Sequence, residues 1–189
     1  MAPSDNEETS SRKICLRPAT VNDHDLLLHV YANTRKDEMA SWGWSAAQQS
    51  SFIRMQFDAR KRGYAATYPS AENSIISTGD MPAGSLIIFR GPGEIRLVDI
   101  ALLPEFQGRG LGGEVIRMLI SEAANAGSAV RLSVLRSNRA THLYERLGFI
   151  AKGGDEMYCE MECAPAESES RTKVANASQE TIPNVEESE

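Results

Sequence analysis

With 189 residues the chain is long enough for one ordinary domain with a real hydrophobic core, and a second full domain is not expected. The formal net charge of −6 sits in the ends: residues 1–12 sum to −2 and residues 164–189 to −4, which leaves 17 basic and 17 acidic residues in 13–163. A neutral central region offers no basic footprint for nucleic acid, and no stretch approaches the roughly 18 apolar residues that cross a bilayer, so neither partner is expected.

The two ends, 1–12 and 164–189, are rich in Ser, Glu, Ala, Asn and Thr and poor in large apolar residues. Burial there cannot offset ordering entropy, and both are expected to be disordered tails, the second acidic, around a domain at 13–163. The opening MAPSDNEETSSRK lacks the apolar core of a secretory signal. Cys15, Cys159 and Cys163 are odd in number and sit in apolar, strand-like contexts, which suits free thiols in a reducing compartment. The cytoplasm is the expected location. His24, His29 and His142 are scattered, no Cys/His spacing suits zinc, and no metal is expected.

Within the domain, strand and helix patterns alternate. Residues 14–17 form a short strand. Thr20-Val-Asn-Asp23 resembles a capping box, with Asp in place of Glu, ahead of a helix over 22–34. A second helix over 45–62 places Phe52, Met55, Gln56 and Ala59 on one face. Residues 74–78 and 83–90 are β-rich runs joined by Gly79-Asp-Met-Pro82, and Gly91-Pro-Gly93 turns the chain into a long apolar strand over 94–103. A Gly-rich turn then opens a helix over 110–126, ended by Gly127, with Leu111, Val115, Met118 and Leu119 facing one way. A strand over 130–135, a short helix over 138–147 stopped by Gly148, and a hairpin over 149–162 turning at Lys152-Gly-Gly-Asp155 complete the pattern. This order predicts an α+β (α/β layered) fold around a central mixed sheet.

The most informative segment is Gln107-Gly-Arg-Gly110-Leu-Gly112, between an apolar strand and an amphipathic helix. Its glycines let the backbone turn and approach a ligand, and the first N–H groups of the helix lack intrahelical partners and carry partial positive charge. Such a terminus suits a phosphate or pyrophosphate, and Arg109 adds a guanidinium. Glycines at this kind of turn can also be simple geometry. A P-loop is excluded because no GK[ST] follows, and a dinucleotide fold fits poorly because residues 132–135 lead into Arg136 rather than an acidic residue. An unrelated nucleotide-binding protein would prefer ATP or NAD to coenzyme A.

At this point the chain resembles the GNAT superfamily of N-acetyltransferases. Gln107-Gly-Arg-Gly110-Leu-Gly112 matches the R/Q-x-x-G-x-G/A signature, Asp99-Ile-Ala-Leu102-Leu-Pro104 matches the strand before it, and Asn138-Arg-Ala-Thr-His-Leu-Tyr144-Glu-Arg-Leu-Gly148-Phe149 resembles the asparagine, short helix and "YxxxGF" close. The similarity spans residues 14–162. It implies a mixed, mostly antiparallel sheet splayed between its fourth and fifth strands, with acetyl-CoA as co-substrate and no metal. It further implies that the amides of Gln107, Gly108, Arg109, Gly110, Leu111 and Gly112 bind the pyrophosphate. Backbone groups near Ile100, Ala101 and Leu102, beyond a bulge, would pair with the pantetheine arm, and one of these N–H groups would polarise the thioester carbonyl. Asn138 matches a residue that contacts the cofactor arm; it is equally a helix N-cap residue. Tyr144 matches the tyrosine that protonates the leaving thiolate, and a phenol with a pKa near 10 suits that role.

The pattern departs from the family at the general base. Arg96 occupies the position where many members carry a glutamate. Glu94, two residues earlier, would share its face by strand alternation, whereas Asp99 is on the opposite parity unless the bulge re-aims it, with Arg96 or Arg131 as its salt-bridge candidate. Glu94 and Asp99 are the candidate bases, next to direct or water-relayed proton loss. On the acceptor side Trp44, Gln56, Tyr64 and Tyr68 are candidates for a pocket wall, with Trp42 and Phe52 nearby, while Arg35, Lys36, Arg60, Lys61 and Arg62 read as solvated helix faces. The expected reaction is direct attack of a small-molecule or peptide amine on acetyl-CoA. The alternative is a CoA-binding sensor or scaffold of the same fold without turnover. Family members often pair as homodimers through sheet edges or terminal strands, so a homodimer is the expected assembly if one forms.

Overall fold

The computed structural model describes residues 13–165; both expected tails lie outside the described residues, apart from 164 and 165. In chain order the elements are β1 (Ile14–Pro18), α1 (His24–Ala40), α2 (Ala46–Thr67), β2 (Glu72–Thr78), β3 (Met81–Gly91), β4 (Glu94–Leu102), α3 (Leu111–Asn125), β5 (Ala129–Leu135), α4 (Thr141–Arg146), β6 (Ile150–Gly154) and β7 (Tyr158–Cys163). Seven strands form one sheet in the order β1-β2-β3-β4-β5-β7-β6. Every pair is antiparallel except β4 with β5, whose connection through α3 is the crossover that parallel strands require.

The chain enters α1 through a tied corner. The Thr20 N–H and hydroxyl both donate to Asp23 Oδ2, at 2.7 and 2.9 Å, while the Arg17 guanidinium grips the same carboxylate with two bonds of 2.8 and 2.6 Å. The Arg17 guanidinium, with the Thr20 amide, holds the Asp23 carboxyl well below the usual carboxylate range. A carboxyl whose folded value is depressed contributes stability above its ordinary pKa of about 4, and that stability is lost as pH falls through the folded value. Asp23→Asn is therefore expected to lower the melting temperature at pH 7, with the gap to wild type closing progressively below pH 4 in thermal melts.

Both early helices run past their sequence-expected ends. The 35–40 stretch continues α1 because Met39 is buried against α2 with Tyr31, Ile53 and Phe57. In α2 the inward face is rotated by one position from the expected one. Ile53 and Phe57 are buried, Phe52, Gln56, Arg60 and Tyr64 are half-buried, and Met55 and Ala59 are exposed. Positions 52 and 53 both begin apolar stripes at helical spacing, and the contact with α1 selects the second. Ser45 caps the helix with Gln48 in a reciprocal box, its N–H donating to Gln48 Oε1 at 2.9 Å.

Helix α3 covers one face of the sheet with Val115, Ile116, Leu119 and Ala123, against Ile88, Leu97 and Leu132. Ile116 takes the inward place expected for Met118, which is exposed. The last hairpin turns over Asp155–Met157 rather than over the two glycines. Asp155 Oδ1 accepts the N–H groups of Met157 and Tyr158, at 2.8 and 2.6 Å, so its side chain makes the turn while Gly153 and Gly154 stay within β6.

Two features of β3 and β4 prepare the functional region. Ile88 pairs with Leu97 but Ile87 pairs with Asp99, so Val98 is an extra, bulged residue. Pairing of β4 with β5 ends at Leu97 with Leu132; beyond it β5 pairs with β7, and residues 98–102 diverge. The sheet is thus splayed between β4 and β5. Opposite the diverging segment, a Cβ at Gly84 would lie 2.1 Å from the Ala101 carbonyl oxygen and 3.0 Å from Leu102 Cα. Only glycine allows β3 to approach so closely. Gly84→Ala is expected to cost about 1–3 kcal/mol by overpacking, read as a lower denaturation midpoint in urea.

Candidate active site

The glycine turn begins where β4 ends. A short 3₁₀ turn at Pro104–Phe106 buries Phe106, and the Gln107 side-chain amide donates to the Leu102 carbonyl at 2.7 Å, tying the turn to the strand. Gly108 and Gly110 have φ of 69° and 82°, the left-handed region that glycine enters without strain. The space where their Cβ atoms would point is open, with nothing within 4 Å. Gly110 caps α3, and the first helical bond runs from the Glu114 N–H to the Gly110 carbonyl at 3.0 Å. The N–H groups of Leu111, Gly112 and Gly113 therefore lack intrahelical acceptors.

These groups face a groove of about 630 Å³ between the head of α3 and α4, lined by Leu102, Gly108, Gly110, Gly112, Gly113 and Leu143, together with Arg117 and Arg146. Arg109, expected to supply the charge, is exposed and outside this lining, whereas Arg117 and Arg146 border the groove. The sequence carries a signal for Arg117: it stands seven residues after Gly110, two helical turns along the same face. Arg146 could be found only once α4 is placed. Asn138 caps a turn rather than a helix, because α4 starts at Thr141. Its Oδ1 accepts the Ala140 N–H at 2.9 Å, and its carbonyl accepts the Thr141 hydroxyl at the same distance.

Along 98–102, β4 remains paired with β3, through Asp99, Ile100, Ala101 and Leu102, while its other edge has no strand partner among the described residues. Open N–H and C=O groups on such an edge can receive another extended chain. Tyr144 of α4 is 6% exposed and packs on Phe149 with ring centroids 5.6 Å apart. Burial, reinforced by the negative charge of Asp99, pushes its phenol up to about 12.

The bulge at Val98 changes the parity of residues 99–102. Asp99 lies opposite Ile87, Arg96 opposite Phe89 and Glu94 opposite Gly91, which puts all three acidic and basic side chains on one face. The expected partners of Asp99 are engaged elsewhere: Arg96 bonds Glu160 at 2.7 Å, and Arg131 bonds Glu94 at 3.0 Å and Glu162 at 2.7 Å. Asp99 instead pairs with Arg60 of α2. Arg60, expected on a solvated face, falls in line with Ile53 and Phe57 at i+7 and i+3, a spacing that pointed inward. Its Nε donates to the Tyr64 hydroxyl at 3.2 Å, and its guanidinium lies 5.0 and 5.1 Å from the ring centres of Tyr31 and Tyr64. Burial and the charge of Asp99 raise the Tyr64 phenol as well.

Arg60 thus joins Tyr64 of α2 to Asp99, where β4 leaves β5, and the charge of Asp99 also reaches Tyr144. Glu94 does not join them. It sits at the closed end of β4, held by Arg131, and four strand residues separate it from Asp99, roughly 15 Å. Tyr68, just beyond α2, packs on Phe89 with centroids 5.5 Å apart. Gln56 lines a small cavity of about 120 Å³ with Tyr31, Trp42 and Phe52. Trp44 stacks edge-on with Trp42 and Phe52 at the start of α2, about 30 Å along the helix from Tyr64, and stands apart from the site.

Among the described residues no helix is long and apolar enough to cross a membrane. No curated protein matches the sequence. Solved structures with the same fold include a PaiA N-acetyltransferase from Thermoplasma acidophilum in complex with coenzyme A, 19% identical, covering 80% of this chain and 99% of that one with a TM-score of 0.61. The ribosomal-protein-S18-alanine N-acetyltransferase of Escherichia coli is 22% identical, over 83% of this chain and 97% of its own, with a TM-score of 0.57. A Bacillus subtilis acetyltransferase in complex with CoA is 18% identical, over 82% and 99%, with a TM-score of 0.56. At these identities the likeness carries the fold alone. The family model of the acetyltransferase (GNAT) family matches residues 28–149, from α1 through Phe149, and so takes in the bulged strand, the glycine turn and Tyr144: the chain belongs to that family.

Proposed function

We propose that the protein transfers an acetyl group from acetyl-CoA to a primary amine of a small molecule or peptide by direct attack. The observation that carries this reading is the splay of β4 from β5 beside the free amides at the head of α3, with α4, the helix of Tyr144, along the same groove. The chain fits the co-substrate: the open space at Gly108 and Gly110 admits a diphosphate to the free amides, and Arg117 and Arg146 supply positive charge along the groove. The unpaired edge at Ile100, Ala101 and Leu102 suits the amide-bearing pantetheine arm. Asn138, in the turn before α4, is the further candidate for a contact with that arm.

The co-substrate supplies an activated thioester. A backbone N–H of the diverging β4 segment would polarise its carbonyl, and Tyr144, neutral at physiological pH, would give its proton to the departing sulfur. In balance, the N–C bond forms and the C–S bond breaks, the amine's surplus proton passes to water, and water restores the phenol. Asp99 would accept a hydrogen bond from the incoming amine, with Tyr64 and Gln56 as candidates for the acceptor side. Glu94, distant and ion-paired, is the weaker candidate for a base.

Thiol release from acetyl-CoA across an amine panel, with mass analysis of products and calorimetry of CoA binding, tests the reading. Acetylated amine and matching thiol release support it. CoA binding with no acceptor turned over would favour a sensor or scaffold, and binding of ATP or NAD without CoA preference would remove the family's usual chemistry altogether.

A further inference from the structure

We propose that Arg60 is a positioning residue for the acceptor half of the reaction: clamped between Tyr31 and Tyr64, it holds the Asp99 carboxylate across the open end of the β4–β5 gap and offsets its charge where negative charge develops during transfer. This rests on the acetyl-transfer reading above and adds a residue that reading does not use.

Four observations converge on it. Among the described residues, the other ion pairs on this face, Arg96–Glu160, Arg131–Glu94, Arg131–Glu162 and Lys152–Glu162, join strand to strand, whereas Arg60–Asp99 ties α2 to β4, as Arg90–Glu122 ties β3 to α3 elsewhere on the sheet. The pair is largely withdrawn from solvent, with side chains 24% and 19% exposed, so it is screened less than a surface pair. The guanidinium is fixed on three sides, by the carboxylate, by the Tyr64 hydroxyl and by the Tyr31 and Tyr64 ring faces. Finally, Asp99 reaches this face only because of the Val98 bulge, which lies where β4 leaves β5.

The electrostatic consequence follows from placement. Burial raises the phenols of Tyr144 and Tyr64, and the charge of Asp99 adds to both. An uncompensated carboxylate there would repel the negative charge that passes through the thioester oxygen and onto sulfur. A guanidinium in contact with it opposes that field, because the two opposite charges act at the reacting atoms as a dipole. The carboxylate's lone pairs not engaged by Arg60 remain available to orient the amine N–H. Arg60 thus acts through Asp99, and need not touch either substrate.

The test is a double-mutant cycle in the full chain, using the best amine acceptor found and temperatures well below every variant's melting point. Arg60→Gln is expected to lower kcat about tenfold in the wild-type background but less than about threefold in the Asp99→Asn background, because the unpaired charge is then gone. Affinity for CoA by calorimetry should stay within about twofold throughout. Arg60→Lys should restore part of the rate by returning the charge without the fork. A merely structural role predicts instead that kcat and CoA affinity fall together and that the cycle is additive; that result, or an unchanged kcat in Arg60→Gln, overturns the proposal. If wild-type protein binds CoA yet acetylates no amine, the parent reading fails on its own. A crystal structure of Arg60→Gln then decides the clamp, and an Asp99 carboxylate left in place overturns it.

Discussion

Gly110→Glu is expected to abolish detectable acetyl-CoA binding, by at least about 100-fold, while the domain stays folded. Gly110 has φ of 82° and open space around its missing Cβ, so the new side chain meets no atom of the protein. The fold loses only the cost of a left-handed non-glycine residue, about 1–2 kcal/mol. The ligand loses far more. A carboxylate would stand at the cap of α3, in front of the amides proposed for the diphosphate, adding like-charge repulsion and blocking hydrogen bonds worth about 1.5–3 kcal/mol each. Gly110→Ala carries the same backbone strain without the charge and separates the two causes. Calorimetry with CoA and a thermal melt of each variant make the check; a Glu variant that binds as wild type would remove the turn from the site.

Tyr144→Phe is expected to lower kcat by about 100-fold or more, the range of general acid catalysis, with CoA affinity unchanged. Only the hydroxyl is removed. The ring keeps its place against Phe149, so little stability is at stake. A phenol pushed up to about 12 also has a consequence for pH. An acid with a raised pKa keeps its proton to higher pH, so Tyr144 should impose no alkaline fall in kcat below about pH 11. Any limb near pH 8–10 should belong to another group and persist in the Phe variant when its residual rate is followed. Full activity of Tyr144→Phe would take the proton donor away from this residue.

Much of the fold was readable because its signals are local. The Gln107–Gly112 glycines, the apolar run of β4 and the spacing of Asn138, Tyr144 and Phe149 each require only near neighbours, and the helices and strands they imply are present within a few residues. Misreadings occurred where local patterns were ambiguous. Two apolar stripes start at Phe52 and Ile53; two side chains, Ile116 and Met118, could face inward from α3; and both a glycine pair and Asp155 could turn the last hairpin. In each case long-range packing or a side-chain hydrogen bond selected the outcome.

The site divides along the same line. The proposed donor side depends on a single turn at a helix head, and the residues forming that turn are contiguous. The proposed acceptor side draws on α2, β4 and α4, so its residues meet only once these elements are packed.

From its sequence alone this protein was determined to be a mixed-sheet domain with a glycine-built helix terminus and a tyrosine at family spacing. Those features follow from backbone sterics and periodicity, which act over a few residues. Packing of distant elements is what sets Arg60, rather than Arg96 or Arg131, against Asp99, brings Arg117 and Arg146 to the groove, and leaves Glu94 and Trp44 apart from Asp99. One bulged residue, Val98, reverses the parity of the strand beyond it, and no count along the chain can place such a bulge before β3 and β4 are paired.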